Sequence, residues 1–129
     1  MERLEFRAMG CQMLAVIDAD GEEAAAALRQ VPGWFEEWEQ CLSRFRPSSE
    51  LSRLNADAGY WLPLSDTLWS VLSAALAAAR ESGGVISPTL LDAVKAAGYT
   101  QDFAAGPGES ALPAPVPSLI DWQMIELDP

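Results

Sequence analysis

An α+β fold follows from three features of the sequence: apolar alternation near the N-terminus, two long stretches of helical period, and an order in which strands come first and helices after. Between Leu4 and Ile17, the residues Leu4, Phe6, Ala8, Met13, Ala15 and Ile17 fall on alternate positions either side of Gly10. That pattern predicts two short strands, or one strand bent at the glycine. "DADG" then reads as a turn, and "EEAAAALRQ" as a helix whose Glu22 and Glu23 sit in the first turn, where the macrodipole favours acids. Pro32 and Gly33 are expected to kink or end that helix. In the following "WFEEWEQCL", Trp34, Trp38 and Leu42 share one face at four-residue spacing and read as a core-packing stripe.

The polar loop "LSRFRPSSELSRLN" spans residues 42–55, and its second half predicts a short helix capped by Ser48 or Ser49. "AGYWLPLS" reads as a turn and a short strand. Ser65 is a good N-cap for the strongest helix of the chain, whose Leu68, Val71, Leu72, Ala75, Leu76 and Ala79 keep the helical period until Gly83 and Gly84 stop it. "PTLLDAVKAAG" predicts one more helix, with Pro88 near its start and Gly98 as its C-terminal cap. Residues 104–118 are rich in Gly and Pro and read as a loop or linker. Residues 119–129 alternate through Trp122, Met124 or Ile125, and Leu127, as a strand would, and such a strand needs a partner sheet.

At 129 residues the chain has the length of one domain with one core. Its net charge of −11 argues against nucleic acid or an anionic membrane surface as partner, since either would repel it. The chain contains no histidine, which removes a Ser-His-Asp triad, a His-ligated zinc site and the usual neutral-pH general base together. Cys11 and Cys41 have neither zinc nor redox-motif spacing and read as buried or partly buried free thiols, with a disulfide as the alternative in an oxidising compartment. The charged start "MERLEFRAMG" lacks the apolar stretch of a signal peptide, and the run around "SVLSAALAAAR" is too short to span a bilayer, so with Met1 as the native start a cytoplasmic location is expected.

Two stretches could carry chemistry. In a chain with eight Lys and Arg in all, Arg44, Arg46 and Arg53 are gathered in one loop. Guanidinium groups match phosphate oxygens bidentately, so the loop could bind an anion. The alternative is local bracing: Glu50 stands four residues after Arg46 and three before Arg53, at helical contact spacing. "SGGVISPT", residues 82–89, could likewise bring backbone close to a ligand through its paired glycines, or simply end one helix and begin another.

Taken in order, "FRAMGC", "LSRFRPSSELSRLN", a long alanine-rich helix and "SGGVISPTLLDAVKAAGY" resemble the N-terminal half of the ApbE family, the FAD:protein FMN transferases. The likeness spans residues 1–103, with 104–118 as linker and 119–129 as the strand leading into the family's C-terminal half. The resemblance implies an enzyme that binds FAD as substrate with Mg2+ and transfers FMN to a Thr or Ser hydroxyl of a target flavoprotein. It implies flavin contacts at Met9, Phe45, Val85, Ile86 and Ser87. Ser87 stands where the family usually has Asp, and Ile86 where it usually has an aromatic residue or Met, which implies weakened or altered contact there. The chain ends before the family's D-x-G-G-x-x-K-G element and its metal-holding Asp and Thr. Hence no metal ligand and no catalytic residue is assigned, and the chain alone is expected to be inactive. A non-catalytic binding or assembly module, dimerising through an open strand edge or completed by a separate C-terminal half, is the rival expectation.

Overall fold

The computed structural model describes residues 1–101 and 121–128. Where the chain length predicts a single core, the residues cluster into two compact units, Met1–Leu62 and Pro63–Pro129. The strand and helix content, with the strands first, is that of the expected α+β class.

The first unit opens with a hairpin of β1 (Glu2–Ala8) and β2 (Cys11–Ile17), paired antiparallel from Glu2↔Ile17 to Ala8↔Cys11. The register leaves two residues, Met9 and Gly10, to make the turn. Both have positive φ, 52° and 71°. A two-residue turn of this hand matches the right-handed twist of the strands, and so two strands form rather than one bent strand. Leu4, Phe6, Ala8, Met13, Ala15 and Ile17 fall on the more covered face, as their alternation predicts, while Leu14 and Val16 face outward.

Helix α1 (Glu22–Leu42) packs against both strands and against α2 (Glu50–Ala56). It runs through Pro32 and Gly33 without ending, contrary to the sequence expectation. A proline removes one backbone donor and crowds the preceding turn, but here tertiary contacts on either side hold the helix together. Ala24 and Leu28 are buried on the N-terminal side of the proline, and beyond it Phe35 meets Phe6 edge-on at 5.3 Å between ring centroids. The inward stripe therefore runs through Ala24, Leu28 and Phe35, and Phe35 also meets Trp38 edge-on at 5.1 Å, although that indole is 42% exposed. Of the expected stripe of Trp34, Trp38 and Leu42, both tryptophans are exposed, Leu42 is partly covered, and Phe35 takes the inward place beside Trp34.

In the second unit, α3 (Asp66–Glu81) starts where expected, with the Ser65 hydroxyl accepting the Leu68 N–H at 3.2 Å. Leu68, Leu76 and Ala79 are buried, while Val71, placed on the same face by the sequence pattern, is exposed. The helix ends on a left-handed glycine pair: Gly84 N–H donates to Ala79 O at 2.8 Å and Gly83 N–H to Arg80 O at 3.2 Å. Those two bonds form a Schellman motif, which satisfies carbonyls that the helix end would otherwise leave unpaired. α4 (Leu91–Ala96) follows, with Gly98 at φ 94° just past it. The stretch 61–65 forms no strand. The described part of 119–129 is also not the strand expected there: Trp122–Met124 is a single 3-10 turn capped by the Asp121 carboxylate, which accepts the Gln123 N–H at 2.9 Å. Such a turn satisfies its own backbone, whereas a strand there would need a neighbour to pair with. The linker expected at 104–118 lies outside the described residues.

Candidate functional site

Among the described residues, Met9 is the one non-glycine with positive φ. The left-handed conformation costs an L-residue roughly 1–2 kcal/mol, so something must hold it there. The two-residue hairpin turn requires it, and α1 anchors that turn: the Met9 N–H donates to Glu39 Oε1, across thirty residues of sequence. The side chain beyond this anchored backbone is 45% exposed.

Glu39 spends its other carboxylate oxygen on Arg46, whose Nη2 donates to Glu39 Oε2. The same guanidinium grips Glu36 with two parallel bonds, Nη1 to Oε1 at 2.5 Å and Nη2 to Oε2 at 2.8 Å. Gln40 adds a third donor to Glu36 at 3.1 Å. Arg46 lowers the Glu36 pKa to about 2, helped by Gln40, and is itself raised further above its ordinary value by Glu36 and then Glu39. Thus Arg46 is paired with α1 and not with Glu50, as its spacing had predicted. Glu50 instead accepts the Cys41 thiol at 3.2 Å, and Arg53 is exposed on α2. The sequence did carry one sign of this arrangement. Acids Glu36, Glu37 and Glu39 crowd the C-terminal half of α1, which has no base in its last turn, so the unfavourable end of the macrodipole calls for a cation from elsewhere.

Phe45, immediately before Arg46, is 36% exposed, with the Arg44 guanidinium 4.1 Å from its ring centroid. Its N–H donates to Ser43 Oγ at 3.2 Å. The loop is tied down from below by Ser49, which is fully buried. Its hydroxyl donates to Ser43 O at 2.6 Å and accepts the Ser52 N–H at 3.0 Å, so one side chain closes the loop and caps α2. The Ser49 N–H in turn donates to Arg46 O at 3.0 Å. Met9 and Phe45 are thereby linked within the first unit through Glu39 and Arg46.

Val85, Ile86 and Ser87 lie in the second unit, directly after the Schellman glycines. Val85 is 85% and Ile86 57% exposed. Ser82 Oγ accepts the Ile86 N–H at 3.0 Å, and the Ser87 and Thr89 hydroxyls share a hydrogen bond at 2.9 Å. Gly84 has a φ of 86°, which favours glycine, and a Cβ there would come within 3.2 Å of Trp122 Nε1, a tight contact. The indole thus rests on the backbone that precedes the three residues.

Among the described residues there is no group of three or more His, Cys, Asp and Glu side chains that could hold a metal ion. Neither Cys11 nor Cys41 is in a disulfide; Cys41 is partly buried, as expected, but Cys11 is exposed, contrary to expectation. Cys11 is the first residue of β2, opposite Ala8 beside the hairpin turn, and is exposed there although it shares a face with Met13 and Ala15. No helix among the described residues is long and apolar enough to cross a membrane.

Comparison with known proteins gives this geometry a family. Residues 9–129 match the model of the ApbE family. The chain is 35% identical over 103 residues to an FAD:protein FMN transferase of Treponema pallidum (strain Nichols), covering 79% of this chain and 28% of that protein. It therefore spans little more than a quarter of the curated relative it matches. Two crystal structures share the fold. One is the apo form of the flavinyl transferase ApbE of Pseudomonas stutzeri, at TM-score 0.74 and 22% identity, covering 98% of this chain and 42% of that one. The other is the ApbE protein of Thermotoga maritima MSB8, at TM-score 0.71 and 18% identity, covering 79% of this chain and 33% of that one. With the match running from the Met9 turn to the C-terminal residue, the chain belongs to the ApbE family.

Proposed function

We propose that this chain contributes flavin-contacting surface to an enzyme that transfers FMN from FAD to a Thr or Ser hydroxyl of a target flavoprotein. In that reaction the hydroxyl oxygen bonds to the FMN phosphorus, the bridging P–O bond breaks with its electron pair leaving on AMP, and the hydroxyl proton is released. The observation that carries the reading is the 35% identity to a protein named for this activity, within a family match that covers residues 9–129. Two local features support the flavin contacts. Met9 is held in a left-handed turn by a long-range hydrogen bond, and Phe45 sits in a loop locked by a buried serine. The two-residue hairpin turn accounts for the positive φ of Met9, and the Glu39 bond adds a fixed position for that turn against α1.

The described residues offer neither histidine nor a clustered set of carboxylates, and the chain corresponds to 28% of its relative's length. On our reading it binds FAD but does not complete the transfer by itself. The test is calorimetric titration of the 129-residue chain with FAD, with and without Mg2+, followed by incubation with a Thr-containing acceptor peptide and in-gel flavin fluorescence. Saturable binding without labelled peptide is the expected result. Labelling at an ordinary enzyme rate would overturn the partial-site reading, and no heat at high micromolar protein would overturn the flavin contacts.

A second reading has one observation in its favour: β1 and β2 form a two-stranded sheet, each with an outer edge unpaired among the described residues. Such edges accept further strands, so a non-catalytic assembly module would pair there, with a second copy or a complementing polypeptide. The terminal stretch 121–128 does not supply that strand. Light scattering that shows a dimer at micromolar concentration, together with no FAD binding, would favour this module.

A further inference from the structure

We infer that Arg46 and Glu39 are positioning residues of the flavin-contacting surface, joining the Met9 turn to the Phe45 loop through one shared carboxylate. The inference deepens the function proposed above and rests on its assignment of Met9 and Phe45 to the flavin.

Glu39 divides its two oxygens between the two elements, one accepting the Met9 N–H and the other an Arg46 N–H. Arg46 could not hold Glu39 in register if its own guanidinium were free to swing, and the parallel pair of bonds to Glu36 prevents that. The bridge is well sheltered for a surface group: the Arg46 side chain is 28% and the Glu39 side chain 20% exposed. At the other end, Arg46 follows Phe45 directly in the chain, and its carbonyl accepts from buried Ser49. Any displacement of the guanidinium therefore moves both candidate contacts. The same geometry commits three of the five guanidinium donors of Arg46 to the two carboxylates, which turns its charge toward α1, and on this inference the arginine acts through Glu39.

The experiment uses the full chain with FAD alone as probe, read by flavin fluorescence, and amide hydrogen exchange at Met9 read by NMR. Arg46→Ala and Glu39→Ala are each expected to weaken FAD binding about tenfold, the loss of one charge-assisted link. The double variant is expected to be no weaker than either single one, because both changes break the same bridge. Met9 amide exchange should quicken about tenfold in Arg46→Ala, although Arg46 does not touch Met9, while amides of β1 and α2 keep their rates. Where the alanine variant does not fold, Arg46→Lys keeps the charge without the fork and should show a smaller loss, about threefold, with the same Met9-specific exchange. Additive losses in the double variant, or exchange that quickens uniformly through the first unit, would reduce the bridge to general stability and overturn the inference. If Phe45→Ala weakens FAD binding while Arg46 and Glu39 variants do not, the inference fails and the proposed function stands. If neither Met9→Ala nor Phe45→Ala changes FAD binding, the flavin assignment fails and the inference with it.

Discussion

Glu36 shows how one side chain can tie local chemistry to stability. Its carboxyl is held down to about 2 from an ordinary 4.5, first by the Arg46 guanidinium and second by Gln40. A carboxyl with a lowered folded-state pKa stabilises the fold at pH values above its unfolded pKa, and that contribution fades as pH falls through the folded value. The window is therefore from about 4.5 down to about 2. The difference in denaturation midpoint between parent and Glu36→Gln should be constant above this window and shrink to nothing within it, as urea titrations at several pH values would show. The Glu36 side chain is 58% exposed, so solvent screening keeps the difference small. A difference that persists at pH 2 would mean that Glu36 acts through packing and not through charge. Little of this was legible in the sequence. Arg46 has an acid four residues ahead at good helical spacing, and the partners it takes lie seven and ten residues behind, reached only because the loop folds back over α1.

At the level of elements, what could be read was whatever local chemistry decides. Ser49 and Ser65 cap the helices they were expected to cap, and Gly83 with Gly84 ends α3, because a cap needs only residues three or four positions away. What could not be read was decided by tertiary contact. Pro32 looked like a breaker, yet burial of Leu28 and the ring contact of Phe35 outweigh its local cost. The alternation of Trp122, Met124 or Ile125, and Leu127 looked like a strand, but alternation says nothing of whether a partner is at hand. Gly33 gives a direct test of the helix reading. It lies in mid-helix with φ outside the left-handed region, and an added Cβ would meet nothing within 4 Å. Gly33→Ala should therefore stabilise the chain by about 0.5–1 kcal/mol through the lost entropy of the unfolded state, measured as a raised urea midpoint. A lowered midpoint would instead show that the turn after Pro32 needs glycine's freedom, and that α1 bends there.

For the whole molecule the governing quantity is charge. A net charge of −11 sets up a field that repels the diphosphate of FAD, and the field reaches farther as salt is removed, about 30 Å at 0.01 M against 10 Å at 0.1 M. Most phosphate-binding surfaces lose affinity as salt rises, because their basic residues are screened. This chain spends Arg46 within the carboxylate bridge and sets the Arg44 guanidinium over the Phe45 ring, and the function proposed above puts its contacts on the flavin ring rather than on the phosphates. FAD affinity measured without metal should accordingly hold steady or tighten by about two- to threefold between 0.01 and 0.3 M NaCl, as screening weakens the repulsion. A fall of tenfold over the same range would mean that arginines of the 42–55 loop meet the diphosphate after all, with exposed Arg53 the first to substitute. The concentration of arginine in an acidic chain would then be an anion site. With steady or rising affinity, it is the brace that keeps Met9 and Phe45 in place.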